Sequence, residues 1–445
     1  MNADLSQILT TGAMVVLFAI SALVLLVRMD LAPAGDRPSP LDGGGRWFLG
    51  AALGIGVIAF SIKLAIILTL SSFPDQTIAP LLADPALAQR DDSLAEMPLQ
   101  SGPSGPGHYP WRSLPAVAPS PPDNPTNPAK IALGERLFHD TALSRDHTVS
   151  CATCHDLLEG AGTDRRPTSK GINGTIGGRN APTVWNAAFQ SRLFWDGRAG
   201  SLEEQAMGPP LNPDEMGMPS ATAIEARIGA DSSYRQAFAQ AFGDGASVTM
   251  RRITQAIAAF ERTLVTNDSP YDRFVAGDDH ALDPAQKRGM WLFQSVGCVM
   301  CHSGPNFSGA ALVGPQNPYA PLMASRSAFA QRHGLSSDKG KAHAKAVDGI
   351  WRIPSLRNVA LTAPYFHNGS VTELEEAIRV MATSQLNATI SEDRRQSRTP
   401  AWSAENSRFD VIDRLVLSED DIRDLAAFLR SLSSDRLARR LTRAP

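Results

Sequence analysis

The chain has 445 residues, of which 43% are hydrophobic and 20% are charged, so it is long enough for several domains and is not disordered overall. Its 42 basic and 45 acidic residues give a net charge of −3, which argues against a nucleic-acid-binding protein, because such proteins normally carry a basic surplus. The four cysteines are too few for a disulfide scaffold of this size.

Two long apolar segments occupy the N-terminal part of the chain. Residues 8–27 carry no charged side chain and residues 47–70 carry only Lys63, and each segment is long enough to cross about 30 Å of hydrocarbon as a helix. A cleaved signal peptide would begin with basic residues, whereas the only charged side chain among the first ten is Asp4. We therefore predict a retained transmembrane hairpin over 1–71.

The distribution of basic residues predicts how this hairpin is oriented. Arg28, Arg37 and Arg46 lie in the connecting loop, no basic residue precedes the first segment, and none follows the second until Arg90. Because basic loops stay in the cytoplasm, we expect the N-terminus and everything after the hairpin to be periplasmic, at the bacterial inner membrane. Lys63 lies inside the second segment, and charged side chains within a membrane usually pair with another polar group. A membrane-protein partner is therefore an open alternative.

A proline-rich segment follows the hairpin. Residues 72–128 hold 13 of the 32 prolines. Such a composition favours an extended, semi-rigid chain. We predict a periplasmic linker here, which separates the membrane from the rest of the protein.

All four cysteines lie in two copies of the sequence Cys-x-x-Cys-His. The copies consist of Cys151, Cys154 and His155 and of Cys298, Cys301 and His302. This sequence attaches c-type haem, with the thiols bonded to the haem and the histidine bound to its iron. A zinc site or a redox dithiol would not need a histidine after each pair. We predict two covalently bound haems, which are attached outside the bacterial cytoplasm and so agree with a periplasmic location.

The sequence around the two haem motifs is a divergent internal repeat. Each copy has a Gly-x-x-Leu-Phe sequence, then an asparagine, then a phenylalanine eight residues later and a leucine eight residues after that. In order, these are Gly134, Asn186, Phe194 and Leu202 in the first copy and Gly289, Asn358, Phe366 and Leu374 in the second. Each copy also ends in Ala-Ala-Phe-x-Arg-x-Leu, so the two copies should share one fold.

Helical patterns dominate both copies, notably over 249–264, 371–381 and 418–432, where Ser418 and Asp421 predict a capping box. Strand signals are sparse. We therefore predict an all-α protein with two tandem cytochrome c-like haem domains. In chain order they follow the hairpin and linker as a first haem domain over 129–280, a second over 281–436 and a tail over 437–445.

The motifs resemble those of the bacterial dihaem cytochrome c peroxidases, the family that also includes MauG. The resemblance runs over about residues 120–436 and includes the segments 133–138, 194–198 and 357–367 besides both haem motifs. It implies an oxidoreductase that reduces hydrogen peroxide to water with electrons from a small periplasmic cytochrome c or cupredoxin.

The resemblance also implies roles for individual residues. The haem on His155 is the one that reacts with peroxide, with Glu215 and Gln205 on its distal side as catalytic groups. The haem on His302 accepts electrons and has Met381 as its sixth ligand.

Further implied roles concern the region between the haems. His367 lies near the second haem, and Trp195 lies between the two haems on the electron path. Asn180, Thr362 and Pro364 match the ligands of an interdomain calcium ion, the latter two through their carbonyl oxygens.

One departure from the family bears on activation. Many members carry a histidine in the loop after the first haem, which blocks the peroxide-reactive iron until the other haem is reduced. This chain has no histidine between His155 and His280, and the loop over 169–174 reads Ser-Lys-Gly-Ile-Asn-Gly. We expect an iron that is open or water-bound in the fully oxidised protein.

Two other functions start from the same haems. A MauG-like oxidase would act on a protein substrate, but members of that branch have tyrosine at the second-haem ligand position, where this chain has Met381. A membrane-tethered electron-transfer subunit of a respiratory complex would have no need of Glu215 or Gln205. The sequence leaves the electron donor unnamed and a homodimer open.

Overall fold

The computed structural model describes residues 109–312, 317–399, 402–403, 408–409 and 415–442. The predicted hairpin over 1–71 and the linker up to residue 108 lie outside these residues. Among the helices that are described, none combines the length and the apolar character that crossing a membrane requires.

Helices make up most of the regular structure. In the described part of the chain they are α1 Pro128–His139, α2 Cys151–Cys154, α3 Leu202–Leu211, α4 Ala221–Ala230, α5 Ser232–Phe242, α6 Met250–Glu261, α7 Pro270–Val275, α8 Pro284–Ser295, α9 Ala328–Arg332, α10 Leu374–Gln385, α11 Glu419–Ser431 and α12 Asp435–Leu441. Thr249 begins α6, and Ser418 begins α11 in a capping box with Asp421, so that prediction is confirmed.

The all-α prediction needs a correction, because short strands accompany the helices. Within the described residues they are β1 Tyr319–Leu322, β2 Gly349–Arg352, β3 Thr389–Ser391, β4 Trp402–Ser403, β5 Arg408–Phe409 and β6 Val416–Ser418. They form the antiparallel pairs β1–β2 and β4–β5 and the parallel pair β3–β6. Strands of two to four residues are too short to leave a clear alternating pattern in the sequence.

In each copy of the repeat, a glycine allows two helices to cross in contact. A Cβ atom on Gly134 of α1 would lie 1.9 Å from the Ala256 carbonyl oxygen of α6. A Cβ atom on Gly289 of α8 would lie 1.8 Å from the Asp424 carbonyl oxygen of α11. Any other residue at these positions would force the backbones apart, so the repeated glycine marks a helix crossing.

Separate apolar cores surround the two crossings. Phe138 and Phe260 belong to the core at the first crossing, and Phe293 and Phe428 belong to the core at the second. Each pair stacks at a tilt, with ring centroids 5.4 Å apart in the first core and 5.3 Å apart in the second. The repeated Leu-Phe sequence therefore supplies equivalent core side chains in the two copies.

The segments that flank the repeat are also packed. The predicted linker extends to 128, but Leu114 is buried with Phe189 in a further apolar cluster. The predicted tail begins at 437, but this position lies within α12, and Leu437 is buried in the core at the first crossing. Residues 109–127 and the start of the predicted tail therefore belong to the folded body.

One contact between the two copies is a shared hydroxyl group. Asn186 and Asn358 hold the same position in the two copies, are fully buried and have φ angles of 63° and 62°. Asparagine tolerates this left-handed conformation better than most residues. Their side-chain amides donate to the Thr266 hydroxyl oxygen at 2.7 and 2.9 Å. This contact fixes the first copy against the second.

The helix crossing gives a test of stability. Gly289→Ala should lower the free energy of unfolding by about 1–3 kcal/mol or more, since the added methyl group meets a backbone oxygen. The matched control is Gly229→Ala on α4, where the added Cβ would lie 3.7 Å from the Val248 Cβ atom. Because glycine is a poor helix former, this change should stabilise by about 0.5–1 kcal/mol. Urea denaturation followed by circular dichroism measures both, and equal stability of the two variants would contradict the crossing argument.

Candidate functional site

A cavity of about 280 Å³ lies at the second haem motif. Its wall brings together residues that the sequence predicted to serve the second haem, although they are far apart in the chain. They are Trp195, Cys298, Cys301, His302, His367 and Met381. Most of the remaining wall is aliphatic or aromatic, as a flat apolar ligand requires.

His302 is oriented by a backbone carbonyl group. Its Nδ1 atom lies 3.2 Å from the Phe307 oxygen, and since a carbonyl group only accepts, Nδ1 carries the proton. Burial lowers the pKa of His302 to about 4, so the ring is neutral at pH 7. The Nε2 atom is then the one suited to bind iron.

The first haem motif has the same arrangement. The Nδ1 atom of His155 lies 3.1 Å from the Gly162 oxygen, and burial lowers the pKa of this histidine as well. Cys151 and Cys154 form the short helix α2 directly before it. Each motif thus holds its histidine by a backbone carbonyl group next to two cysteines, and the three residues of the second motif line one cavity.

The chemistry of both motifs fits covalently attached haem. All four cysteines are free of disulfide bonds. Burial raises the pKa of Cys151 and of Cys298 to about 12, which disfavours a redox dithiol, because its attacking group is a thiolate. In the cavity at the second haem motif, the Nε2 atom of His367 is buried and has no hydrogen-bond partner within the described residues, which leaves it available to a bound group.

Met381 lies on α10, and the insertion between the second haem motif and Pro354 holds this helix. The Ser327 and Thr383 hydroxyl groups are 2.6 Å apart, and His333 Nε2 is 3.1 Å from Glu376 Oε1. Ser327 and His333 belong to the insertion, and Thr383 and Glu376 belong to α10. This insertion therefore helps to fix the helix that carries the predicted iron ligand.

Trp195 and His367 hold equivalent positions in the two copies and meet at the cavity. Their ring centroids are 6.4 Å apart in an edge-to-face arrangement, and Trp195 Nε1 donates to the Asn180 oxygen at 2.9 Å. Trp351 stacks on the other side of His367, with centroids 4.0 Å apart. Sequence reasoning missed Trp351, which carries no motif and is placed here only by the β1–β2 pair.

The three predicted calcium ligands lie along the same cavity. Asn180, Thr362 and Pro364 all line the cavity. The Asn180 amide nitrogen donates to the Arg166 oxygen, which leaves its Oδ1 atom as the group suited to a cation. The described residues contain no cluster of three or more His, Cys, Asp or Glu side chains that would hold a metal ion. A cation here would depend on neutral oxygen ligands, which calcium accepts.

Glu215 lies beside the first haem motif. Burial is the largest cause that raises the pKa of Cys151 and of Cys154, and the Glu215 carboxylate adds to both. Burial also raises the pKa of Glu215 itself, against the opposing hydrogen bond that Asn212 donates to its Oε1 at 2.7 Å. Gln205 is half-buried on α3, and this helix ends directly before Asn212.

The loop that lacks a histidine packs on the backbone of Glu215. The Ile172 N–H donates to the Glu215 oxygen at 2.9 Å, and the Ile172 side chain is buried in the core at the first crossing. A Cβ atom on Gly171 would lie 1.9 Å from the Asp214 oxygen. The loop therefore fits closely against the turn that carries the predicted catalytic carboxylate.

Glu261 is a site residue that the sequence did not reveal. It is fully buried on α6, and burial raises its pKa to about 8 despite the neighbouring Arg262. Its Oε2 atom has no partner in the part of the chain that the structure describes. Its counterpart in the repeat, Leu429, lines the cavity at the second haem motif. The Glu261 carboxylate adds to the effect of burial in raising the pKa of Cys151. The sequence feature that could have indicated this residue is the glutamate at the first x of Ala-Ala-Phe-x-Arg-x-Leu, where the second copy has leucine.

Comparisons with known proteins agree with the motif resemblance. The family described as Di-haem cytochrome c peroxidase matches residues 128–280. The cytochrome c551 peroxidase of Pseudomonas aeruginosa is 39% identical over 313 residues, which is 69% of this chain and 80% of that protein. The cytochrome c peroxidase Ccp of Escherichia coli is 38% identical over 319 residues, 71% of this chain but 61% of that protein, so less than two thirds of its length is matched.

A solved structure gives the same result. The crystal structure of a MauG-like protein associated with microbial copper homeostasis superposes with a TM-score of 0.59 at 30% sequence identity. The superposition covers 74% of this chain and 96% of the other. Sequence and structure therefore lead to the same group of proteins.

Glu261→Gln should remove a pH-dependent loss of stability. Folding raises the pKa of this carboxyl group from its ordinary value of 4.5 to about 8, so the folded state keeps a proton that the unfolded state has released. The free energy of unfolding should therefore fall as the pH rises through this range, by up to a few kcal/mol, since one pKa unit corresponds to about 1.36 kcal/mol.

Urea denaturation below and above this pH range measures the effect, and the variant should show a flatter pH dependence than the parent protein. The control is Glu135→Gln on the exposed side of α1, which should change stability by less than about 0.5 kcal/mol. Parallel pH curves for the Glu261 variant and the parent protein would show that the buried carboxyl group is not protonated by folding.

Proposed function

Because this chain belongs to the family of dihaem cytochrome c peroxidases and MauG, and is a peroxidase-type oxidoreductase, we propose that it reduces hydrogen peroxide to water. The two electrons come one at a time from a small cytochrome c or cupredoxin. The observation that carries this proposal is the position of Glu215, a partly buried carboxyl group beside both cysteines of the first haem motif. An electron carrier has no use for such a group.

The residues around the first motif supply proton transfer and orientation. When bound, the first haem offers an iron that binds and cleaves peroxide, and the second stores an electron. Glu215 takes a proton from one peroxide oxygen and returns it to the other, which its raised pKa favours. Asn212 holds the Oε1 atom of this carboxyl group in place, and Gln205 orients the peroxide by hydrogen bonding.

The residues around the cavity support electron delivery from the second site to the first. His302 and Met381 both line the cavity and would hold the second haem iron, and a thioether ligand would give it a high potential that suits electron uptake. Trp195 lies at the wall of the cavity with its indole nitrogen fixed to Asn180. We assign Trp195 to the path that electrons take between the haems.

The first iron is ready for peroxide without reductive activation in this proposal. The loop that would carry a blocking histidine instead donates from Ile172 to the Glu215 backbone. His139 and His147, which precede the first motif, are both exposed rather than folded over it. These positions support an iron that is open or water-bound when oxidised.

The cellular setting is part of the same proposal. The hairpin over 1–71 would anchor the protein in the inner membrane with the haem domains in the periplasm, near its electron donor. A calcium ion held by Asn180, Thr362 and Pro364 would fasten the segments around the cavity, which all three line. The oligomeric state and any membrane partner stay open.

The two alternative functions have less support. A MauG-like oxidase is expected to carry tyrosine as the second-haem ligand, and the cavity here contains Met381 and His302 together. A tethered electron-transfer subunit would explain the predicted hairpin but not the pairing of Glu215 with Asn212.

Peroxide-dependent oxidation of reduced cytochrome c tests the proposed activation. The fully oxidised protein should turn over without prior half-reduction, at the same rate as half-reduced protein, because no ligand has to leave the first iron. Turnover only after half-reduction would keep the peroxidase and exclude the open iron. Absence of turnover in both states, with both haems intact, would favour the electron-transfer alternative.

Glu215→Gln should lower kcat for peroxide reduction by about 10²–10⁴-fold, the usual contribution of a general acid–base group. The absorption spectra of the oxidised haems should stay unchanged, since the substitution keeps the size of the side chain. The matched control is Glu159→Gln, an exposed carboxylate shortly after the first motif, which should leave kcat unchanged. A loss smaller than tenfold for the Glu215 variant would assign proton transfer to another group.

A further inference from the structure

A short strap at the start of the described fold packs across the second haem domain. We define it as residues 109–113. The Trp111 ring meets Tyr271 and Phe428 edge to face, with centroids 6.2 and 5.9 Å away. The Tyr271 hydroxyl donates to the Arg112 oxygen at 3.1 Å. The strap is therefore a fixed part of this core and not the loose end of a linker.

The strap touches the loop that follows His302. This loop covers residues 303–308. The Gly304 N–H donates to the Tyr109 hydroxyl oxygen at 2.5 Å. The Trp111 ring lies 6.1 Å from the Phe307 ring, centroid to centroid. One strap residue thus holds the loop backbone, and another packs against its aromatic side chain.

Phe307 is the residue through which this loop orients the histidine. Its carbonyl oxygen accepts from His302 Nδ1. Its φ angle is 49°, a left-handed conformation that a bulky side chain adopts only when its surroundings hold it there. Those surroundings include the strap and the rings of Tyr271 and Phe428, at 5.0 and 6.0 Å. The Arg357 Nε atom also donates to the loop, at the Pro305 oxygen, 2.6 Å away.

The first haem motif solves the same problem without a strap. There the accepting carbonyl belongs to Gly162, whose φ of 82° costs little because glycine has no Cβ atom. The Gly162 N–H is already taken by the Asp156 oxygen within the same loop. The first loop is held instead by Thr183, whose hydroxyl donates to the Ala161 oxygen at 2.7 Å, so support from a strap is specific to the second motif.

We propose that Tyr109 and Trp111 act as positioning residues for His302 and thereby set the reduction potential of the second haem. A firmly held Nδ1–H···O=C bond makes the histidine a stronger electron donor to iron, which favours the oxidised state. The inference rests on the proposed function only in requiring a haem on His302.

Tyr109→Phe tests the strap with a single lost oxygen atom. It leaves the Gly304 N–H without its acceptor, so the loop should relax and the His302 bond should weaken. A redox titration of the full-length protein with both haems attached should then show a more positive midpoint potential for the second haem and an unchanged potential for the first. Trp111→Phe, which keeps an aromatic ring, should shift the second haem in the same direction.

The matched control is Ser113→Ala. Ser113 lies in the same strap but donates to the Asp272 main-chain oxygen, which is not part of the loop. It should leave both potentials unchanged, whatever its effect on thermal stability.

The outcomes separate the strap from the peroxidase proposal, since an equilibrium titration needs no turnover. A shift confined to the second haem supports the strap even if the protein fails to reduce peroxide. Unchanged potentials in both the Tyr109 and Trp111 variants would overturn it, and so would an equal shift in the Ser113 variant or in the first haem. If Tyr109→Phe does not fold, the result for Trp111→Phe decides.

Discussion

The contact of two helix backbones at a glycine is the constraint on which each half of this protein depends. Gly134 and Gly289 let the first helix of each copy lie against the carbonyl oxygen of a later helix, closer than any side chain would permit. The crossing determines where the apolar core forms. In both copies the haem motif follows the C-terminal end of the first crossing helix. Asn186 and Asn358 then return at matching positions and share the Thr266 hydroxyl group, which fixes one half against the other.

Function arises where the two halves differ within this common frame. Trp195 in the first copy meets its counterpart His367 at the wall of the cavity. Glu261 in the first copy holds the position of the apolar Leu429 in the second. Buried carboxyl groups gather at the first motif, while the second is surrounded by apolar and aromatic side chains. This difference suits proton transfer at one site and electron storage at the other.

The two haem motifs and the internal repeat could be recognised from the sequence because both depend on local spacing. The helices α6 and α11 and the capping box at Ser418 followed for the same reason. Trp351, Glu261 and the strap at Tyr109 were not predictable, since each owes its position to contacts between segments far apart in the chain. The short strands escaped because pairing, not side-chain pattern, creates them. The linker and tail were predicted as free segments because composition does not show where a proline-rich chain is packed.

Electron paramagnetic resonance of the fully oxidised, full-length protein would decide whether the two sites are as different as this account requires. With both haems shown to be attached covalently, the spectrum should contain one high-spin ferric signal, from the open iron at His155, and one low-spin signal, from the iron held by His302 and Met381. Two low-spin signals would contradict the account, because a protein ligand would then occupy the first iron and the enzyme would have to be activated before meeting peroxide.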